Sequence, residues 1–173
     1  MNIEVIEASI LDKIVIRNMM ELYNYDMSEF DDVDLDEHGL YGYNYLDNYW
    51  TEKGRYPFII KVDEKLAGFI LVNKYGIVEA EPIDYSIAEF FIMKKYRRRG
   101  VGKIAVFNVF NKFRGTWELK ELAKNRSAHV FWRNVIGEYT SNNYQDMNSI
   151  VGIWDGPMQR FNNLLENNKD KEE

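Results

Sequence analysis

The chain contains no cysteine, only two histidines and no long apolar run. Without cysteine it has no disulfide, no thiolate metal site and no cysteine nucleophile. The histidines, His38 and His129, lie far apart in the sequence without metal-ligand spacing, so we expect no metal site. No segment approaches the roughly 18 consecutive apolar residues that a membrane-spanning helix needs, so we expect no membrane contact.

Positive charge is also scarce, since 22 Lys and Arg residues face 28 Asp and Glu residues, for a net charge of −6. A nucleic-acid binder presents a basic face, so this balance argues against nucleic acid as a partner. Residues 1–7 carry acidic side chains and no basic segment, which is not the pattern of a signal peptide. A cytoplasmic protein is the expectation.

The length of 173 residues suits a single domain with a full core, and 46% hydrophobic with 29% charged residues is ordinary for a globular chain. We expect one domain over residues 1–161, followed by a polar tail over 162–173. The oligomeric state is left open, with a homodimer as one option.

Apolar periodicity predicts a mixed α/β chain. The predicted strands cover residues 2–7, 56–62, 66–72, 86–93 and 116–122, with two final strands at 139–144 and 150–154. The predicted helices cover about residues 10–25, a short piece at 45–53, a segment from 101 to about 113, and one through 128–136. Ser9 and Asp12 have the spacing of a capping box ahead of the first helix. The strand–helix–strand units in the middle imply locally parallel strands.

One stretch, residues 88–105, combines a buried strand, a basic turn and a helix start. Apolar residues run up to Met93, and the turn at 97–102 then contains three arginines and two glycines. A glycine-rich turn that enters a helix presents free backbone N–H groups and the positive end of the helix dipole. Such a turn binds anions, most often phosphate.

Two familiar phosphate motifs fit this turn poorly. The P-loop needs a glycine where this chain has Arg97, and a serine or threonine where it has Ile104. The dinucleotide fingerprint matches Gly100, Gly102 and Ala105, but residues 94–99 separate these glycines from their strand.

A third motif fits best. Arg97-x-x-Gly100-x-Gly102 matches the [Gln/Arg]-x-x-Gly-x-Gly/Ala signature that binds the acetyl-CoA pyrophosphate in the GNAT superfamily of N-acetyltransferases. Residues 92–97 resemble the strand end of that family, with Lys94 in place of the usual proline. A later pattern of Asn, Ala, an apolar residue and usually Tyr is matched by Asn125, Ala128, Phe131 and Trp132.

The resemblance implies the GNAT fold, an α/β fold of the α+β type with a mixed, mostly antiparallel sheet of six to seven strands and about four helices. It also implies transfer of an acetyl group from acetyl-CoA, without a metal, to a primary amine that attacks directly in a ternary complex. The implied acetyl-CoA contacts are Phe91, Ile92, Met93, Lys94, Arg97, Arg98, Arg99, Gly100, Val101, Gly102, Lys103, Asn125, Phe131 and Trp132.

The resemblance also suggests catalytic residues. Glu89 on the central strand is the first candidate for the general base, and Glu118 on the next strand is the second. The tyrosine that protonates the leaving thiolate in the family corresponds here to Trp132, which cannot act as an acid. Either Tyr139 or Tyr144 serves instead, or the thiolate leaves unprotonated.

The acceptor is predicted from composition. Residues 28–50 are acidic and rich in tyrosine, which is either a solvated loop at a core edge or the wall of a pocket for a cation. The second interpretation favours a small cationic amine, or else a protein N-terminus. The alternative function is a GNAT-fold protein without activity that binds or senses acyl-CoA.

Overall fold

The structure is a computed structural model that describes residues 1–77, 81–150 and 153–164. Its strands are β1 Ile3–Glu7, β2 Tyr56–Val62, β3 Lys65–Asn73, β4 Tyr85–Ile92, β5 Thr116–Lys120, β6 Gln145–Met147 and β7 Met158–Asn162. Its α-helices are α1 Lys13–Met27, α2 Asn48–Thr51, α3 Val101–Lys112 and α4 Arg126–Thr140. Short 3₁₀ turns occupy Ile10–Asp12 and Lys94–Tyr96.

The described strands form one seven-stranded sheet in the order β1-β2-β3-β4-β5-β7-β6. Antiparallel pairing joins β1 to β2, β2 to β3, β5 to β7 and β6 to β7, whereas β4 pairs with β5 in parallel. The predicted α/β class, the mixed sheet and the parallel middle strands are therefore confirmed. The capping box is confirmed as well, because the Ser9 N–H donates to the Asp12 carboxylate at 2.8 Å.

The two final strands were predicted in the wrong places. Residues 139 and 140 belong to α4, and the strands are β6 and β7 instead. The helical period of α4 continues through Tyr139, and the helix stops where Ser141 and Asn142 adopt left-handed backbone angles. Ile150 and Trp154 form only an isolated bridge, and the intervening 151–152 lie outside the described residues.

The chain divides into two compact units. The first contains Met1–Lys74 and Ile87–Val109, and the second contains Tyr75–Ser86 and Phe110–Glu173. In the second unit Asn162 ends β7 and Asn163 is buried, although the sequence placed both in the polar tail. The remainder of that predicted tail, 165–173, lies outside the described residues.

The core of the first unit forms where one face of α1 meets the sheet. Ile16, Met19 and Met20 recur at helical spacing and are all buried. They belong to one apolar cluster with Phe69 of β3 and Phe91 of β4. Tyr23, one turn further along α1, makes edge-on ring contacts with both phenylalanines at 5.9 and 6.1 Å. Packing therefore places the end of α1 beside the last residues of β4.

Strands β3 and β4 approach each other closely at Gly68. A Cβ atom at this position would lie 1.9 Å from the backbone oxygen of Phe91. We therefore expect Gly68→Ala to lower the free energy of unfolding by about 2 to 3 kcal/mol, because backbone, not a flexible side chain, must move. Urea denaturation measures this loss.

Gly76→Ala is the matched control for this prediction. Its Cβ would meet the Ile83 side chain at 3.2 Å, which can adjust, so we expect a loss below about 1 kcal/mol. Equal losses for the two variants would show that the backbone contact at Gly68 is unimportant.

The core of the second unit is an aromatic cluster. Trp117 of β5 lies opposite Phe161 of β7 in the strand register, and their rings are stacked. Phe110 contacts both rings, with centroids 4.8 and 4.9 Å away. Tyr139 of α4 packs on Phe110 and Phe161. The buried face of α4 therefore extends into its last turn.

A buried carboxyl group follows β5 in the second unit. Glu121 is 5% exposed, and Gln159 beside it is fully buried. The Gln159 amide donates to Glu121 Oε2 at 3.4 Å and to Asp146 Oδ1 at 3.1 Å. Glu121 Oε1 has no hydrogen-bond partner among the described residues. Burial, only partly offset by the Gln159 hydrogen bond, raises the pKa of Glu121 to about 7.

This raised pKa predicts a pH dependence of stability. The pKa of Glu121 is about 7 in the fold against 4.5 for an exposed glutamate, so its contribution is complete below pH 4.5 and is lost as the pH rises through 7. Glu121→Gln should remove this part of the slope and raise the free energy of unfolding at pH 8 by about 2 kcal/mol. Urea denaturation at several pH values measures it. The exposed control Glu64→Gln should keep the wild-type slope; the same slope in Glu121→Gln would contradict the prediction.

Candidate active site

The basic turn between β4 and α3 has an unusual backbone path. Arg98 and Gly100 adopt left-handed angles, with φ of +57° and +79°. Glycine reaches this region at little cost, which explains its use at position 100. The Ile104 N–H donates to the Gly100 carbonyl at 3.1 Å, so the helix begins immediately after the turn.

The N–H groups of this turn are available to a ligand. Within the described residues, the backbone N–H groups of residues 98–102 donate to no backbone carbonyl. The first N–H groups of a helix have no intrahelical acceptor. A Cβ at Gly100 would meet nothing within 4 Å, so the space beside the turn is open. We call residues 98–103 the cradle, and the N–H donors of residues 98–102 with the open space beside them fit a pyrophosphate group.

The side chain of Arg97 is held within the fold. Its Nε donates to the Ile92 carbonyl at 2.6 Å, and its guanidinium also pairs with Asp26 of α1. The guanidinium lies over the Phe91 ring, 5.6 Å from the centroid. Lys94 reaches the same Asp26 carboxylate at 3.1 Å. Arg97 and Lys94 were predicted to contact acetyl-CoA, and both side chains here fasten the turn to α1.

The remaining predicted cofactor residues of the first unit lie on either side of this turn. Phe91 and Ile92 are buried and Met93 is half-buried, whereas Arg98 and Arg99 are exposed in the cradle. The Met93 N–H is already used, since it donates to the Ala67 carbonyl at 2.8 Å.

Glu89 lies half-buried on β4 among tyrosine hydroxyl groups. Tyr23 of α1 and Tyr43 of the loop before α2 are both hydrogen-bonded to its carboxylate. Burial, followed by the negative charge of Glu89, raises the pKa of Tyr23, Tyr43 and Tyr49 above the ordinary range. These phenols therefore stay protonated, and two of them act as donors to Glu89.

The loop that carries Tyr43 is tied to α1. The Glu21 carboxylate accepts the N–H groups of Tyr41 at 2.7 Å and Gly42 at 3.0 Å. Asn24, one turn further along the helix, donates to the Gly42 carbonyl at 2.9 Å. We call these three hydrogen bonds the loop tether. It fixes the backbone next to Tyr43.

Sequence reasoning missed Tyr23, Tyr43, Glu21 and Asp26 as neighbours of the site. Their partners are distant in sequence, and no motif links them. The one available signal was the tyrosine-rich segment 28–50, for which a pocket wall was one of two interpretations.

In the second unit Asn125 is the N-cap of α4. Its Oδ1 accepts the Ala128 N–H at 3.0 Å and the Ser127 hydroxyl at 2.9 Å. Trp132 is buried on the inner face of α4, 6% exposed, with Phe131 in ring contact at 5.0 Å. The predicted acetyl-CoA contacts of these residues stay predictions.

The other catalytic candidates have structural partners. Glu118 is buried, pairs with Arg160 at 3.1 Å and accepts the Ile77 N–H at 2.8 Å. Tyr139 donates its hydroxyl hydrogen to Asn111 at 3.0 Å and accepts from Asn163 at 3.3 Å. Because Glu118 is engaged in these structural contacts, Glu89 is the better candidate for the general base.

Neither a metal-binding cluster nor a membrane-spanning helix occurs in the part of the chain that the structure describes. No group of three or more His, Asp or Glu side chains there could hold a metal ion. No helix in the same residues has the length and apolar character needed to cross a membrane.

The model of the acetyltransferase (GNAT) family matches residues 19–137, whereas no curated protein sequence matches the chain. An acetyltransferase structure from Thermus thermophilus is 13% identical, with 94% of this chain and 97% of that chain covered and a TM-score of 0.66. PaiA N-acetyltransferase from Thermoplasma acidophilum, in complex with coenzyme A, is 13% identical over 94% of this chain and 99% of that chain, with a TM-score of 0.56.

A further similar structure is AAC(6')-Iy in complex with the bisubstrate analogue CoA-S-monomethyl-acetylneamine. It is 13% identical over 78% of this chain and 90% of that chain, with a TM-score of 0.55. At these identities the structures show a shared fold, while the family model covers most of the chain. The chain therefore belongs to the GNAT family of acetyltransferases, whose fold binds acetyl-CoA.

Proposed function

We propose that the protein is an N-acetyltransferase that moves the acetyl group of acetyl-CoA to the primary amine of a small cationic acceptor. The amine attacks directly in a ternary complex. The observation that carries this proposal is the arrangement along β4. This strand presents Glu89 among protonated phenols and then leads through Ile92 into the anion cradle.

The cradle would hold the pyrophosphate through backbone N–H groups, with Arg98, Arg99 and Lys103 adding positive charge. Ile92 would supply the N–H that polarises the thioester carbonyl. Successive N–H groups of a strand point to opposite edges, and that of Met93 is already bonded to Ala67 of β3. The Ile92 N–H therefore points away from β3, on the side where it would stabilise developing negative charge on oxygen.

Glu89 would act as the general base. An amine must lose a proton before it attacks, and Glu89 takes that proton directly or through the hydroxyl of Tyr23 or Tyr43. A C–N bond then forms at the acetyl carbon as the C–S bond breaks; the thiolate leaves, and the remaining surplus proton on the nitrogen passes to this thiolate or to water. The role of Tyr139 as the acid for that thiolate stays a prediction, since its hydroxyl is bonded to Asn111 and Asn163.

A cationic acceptor is supported by charge near the site. The loop after α1 carries exposed carboxylates, and the tyrosines around Glu89 offer ring faces and hydroxyl groups, both of which suit an ammonium group. The loop carboxylates are Glu29, Asp31, Asp32, Asp34, Asp36 and Glu37. The AAC(6')-Iy complex with an acetylneamine analogue is consistent with this class of acceptor.

Thiol release from acetyl-CoA tests the function across a panel of amines, including polyamines, amino sugars, amino acids and peptide N-termini. We expect saturable turnover with a small cationic amine, and mass spectrometry should show one added acetyl group. Tight acetyl-CoA binding without turnover on any amine would instead support the alternative, an inactive acyl-CoA-binding or sensor protein.

A further inference from the structure

Asp26 is the common partner of the two cations in the turn after β4. It lies next to the last residue of α1, and its carboxylate is 19% exposed. Lys94 Nζ lies 3.1 Å from Oδ1, and the Arg97 guanidinium pairs with Oδ2. Burial opposes the charged form of Asp26, but hydrogen bonds from Arg97 and Lys94 outweigh it and lower its pKa. Asp26 is therefore a firmly ionised anchor.

Arg97 is fixed on three sides. Asp26 holds one edge of the guanidinium, the Ile92 carbonyl holds Nε at 2.6 Å, and the Phe91 ring lies under its face. An arginine side chain is otherwise highly mobile, so several contacts are needed to hold it in one conformation. Arg97 also directly precedes the cradle, whose first residue, Arg98, has left-handed backbone angles.

The pairing of charges around Asp26 also indicates that Lys94 and Arg97 hold the turn in place. Asp26 offsets positive charge of Lys94 and Arg97, whose side chains turn to α1. Two cations of the turn, Arg98 and Arg99, are not partners of Asp26. Lys94 and Arg97, which precede the cradle, thus fix the backbone, whereas Arg98 and Arg99 of the cradle are left for the ligand.

We propose that Asp26 is a positioning residue for the acetyl-CoA site. Through Arg97 it fixes the start of the cradle, so that the backbone N–H groups of residues 98–102 converge on the pyrophosphate without rearrangement. Arg97 accordingly contributes to affinity through Asp26 and Ile92, not by direct contact with phosphate. This inference rests on the acetyl-CoA site in the proposed function.

Calorimetric titration with acetyl-CoA tests the proposal on wild-type protein, Asp26→Asn, Arg97→Gln and the double variant. We expect each single variant to weaken binding about five- to tenfold, since each removes a hydrogen bond to a charged group that holds the cradle. The double variant should bind no more weakly than Arg97→Gln, because both changes break the same ion pair between Asp26 and Arg97. In turnover assays the KM for acetyl-CoA should rise while kcat stays within about twofold.

Asp47→Asn is the matched control. Asp47 also pairs with two cations, Lys13 at 2.6 Å and Arg17 at 4.0 Å, but neither belongs to the cradle. It should leave acetyl-CoA affinity unchanged. Asp26→Glu keeps the charge and should recover part of the lost affinity.

Four results would overturn the proposal. These are wild-type affinity in Asp26→Asn, equal losses in Asp26→Asn and Asp47→Asn, additive losses in the double variant, or a much larger loss in Arg97→Gln than in Asp26→Asn. The last result would indicate direct phosphate contact. If Asp26→Asn does not fold, a loss in Arg97→Gln far above the expected tenfold would overturn the proposal in the same way, since Arg97 is exposed and its variant should fold. Calorimetry needs no acceptor, so a protein that binds acetyl-CoA without turnover would contradict the proposed function and leave this comparison intact.

Discussion

Replacing Gly100 with glutamate is expected to weaken acetyl-CoA binding by about 100-fold or more, beyond detection in an ordinary titration. The new carboxylate would stand beside the free N–H groups that the pyrophosphate needs, and it would repel the phosphates. The backbone at Gly100 has φ of +79°, so any side chain there also adds strain. Since no atom lies within 4 Å of the added Cβ, the fold should survive. Calorimetry measures the loss of acetyl-CoA binding, and far-UV circular dichroism checks that the fold survives.

Gly39 provides a control with the same backbone and charge change. It has φ of +74°, and a Cβ there also meets nothing within 4 Å. Gly39→Glu should therefore carry similar strain and the same new charge while keeping acetyl-CoA affinity. Unchanged binding in Gly100→Glu, or an equal loss in both variants, would remove the cradle from the acetyl-CoA site.

Glu89→Gln is expected to lower kcat by about 100-fold or more, in the range that general base catalysis usually contributes. Glutamine keeps an oxygen that can accept the Tyr23 and Tyr43 hydroxyl groups, so the packing of the site should persist. It cannot take a proton from the amine. Turnover with the best acceptor measures the loss, and acetyl-CoA affinity should stay at the wild-type value.

The pH profile separates this role from a structural one. A general base works only when ionised, so wild-type activity should fall as the pH drops through the pKa of the base, and the variant should lack that limb. Glu64→Gln, on an exposed turn, should match the wild type in rate and profile. Glu118→Gln should lose stability because Glu118 pairs with Arg160, while its activity keeps the acidic limb. Wild-type turnover in Glu89→Gln would exclude Glu89 from the mechanism.

The cradle could be predicted from sequence because its information is local. A short apolar strand, a glycine in a left-handed turn and a helix start are all specified by neighbouring residues. The same local reasoning failed at residues 139–144, since Tyr139 is held in α4 by contacts with Phe110 and Phe161. Alternation in a short segment does not distinguish a strand from the last turn of a helix.

The surroundings of Glu89 could not be predicted for the opposite reason. Its tyrosine partners come from α1 and from the loop before α2, and tertiary packing brings them together. The pairing of Asp26 with Arg97 likewise joins segments that are distant in the sequence. The motif predicted Arg97 as a ligand contact, since a sequence signature records which residue is present and not where its side chain points.

The loop tether on α1 has a consequence for how acceptor preference can change. Glu21 and Asn24 hold the backbone at Tyr41 and Gly42, so the ordering entropy of that segment is spent during folding and not when an amine binds. The hydrogen bonds of the loop tether thus come from α1 and not from residues 31–38, all of which are exposed. Substitutions among those exposed residues, Asp36 apart, would alter charge and shape toward a new amine in the proposed acceptor site, while Glu89, the proposed base, keeps its tyrosine neighbours. Under the proposed mechanism, the loop tether therefore allows the acceptor preference to change without altering the surroundings of the base.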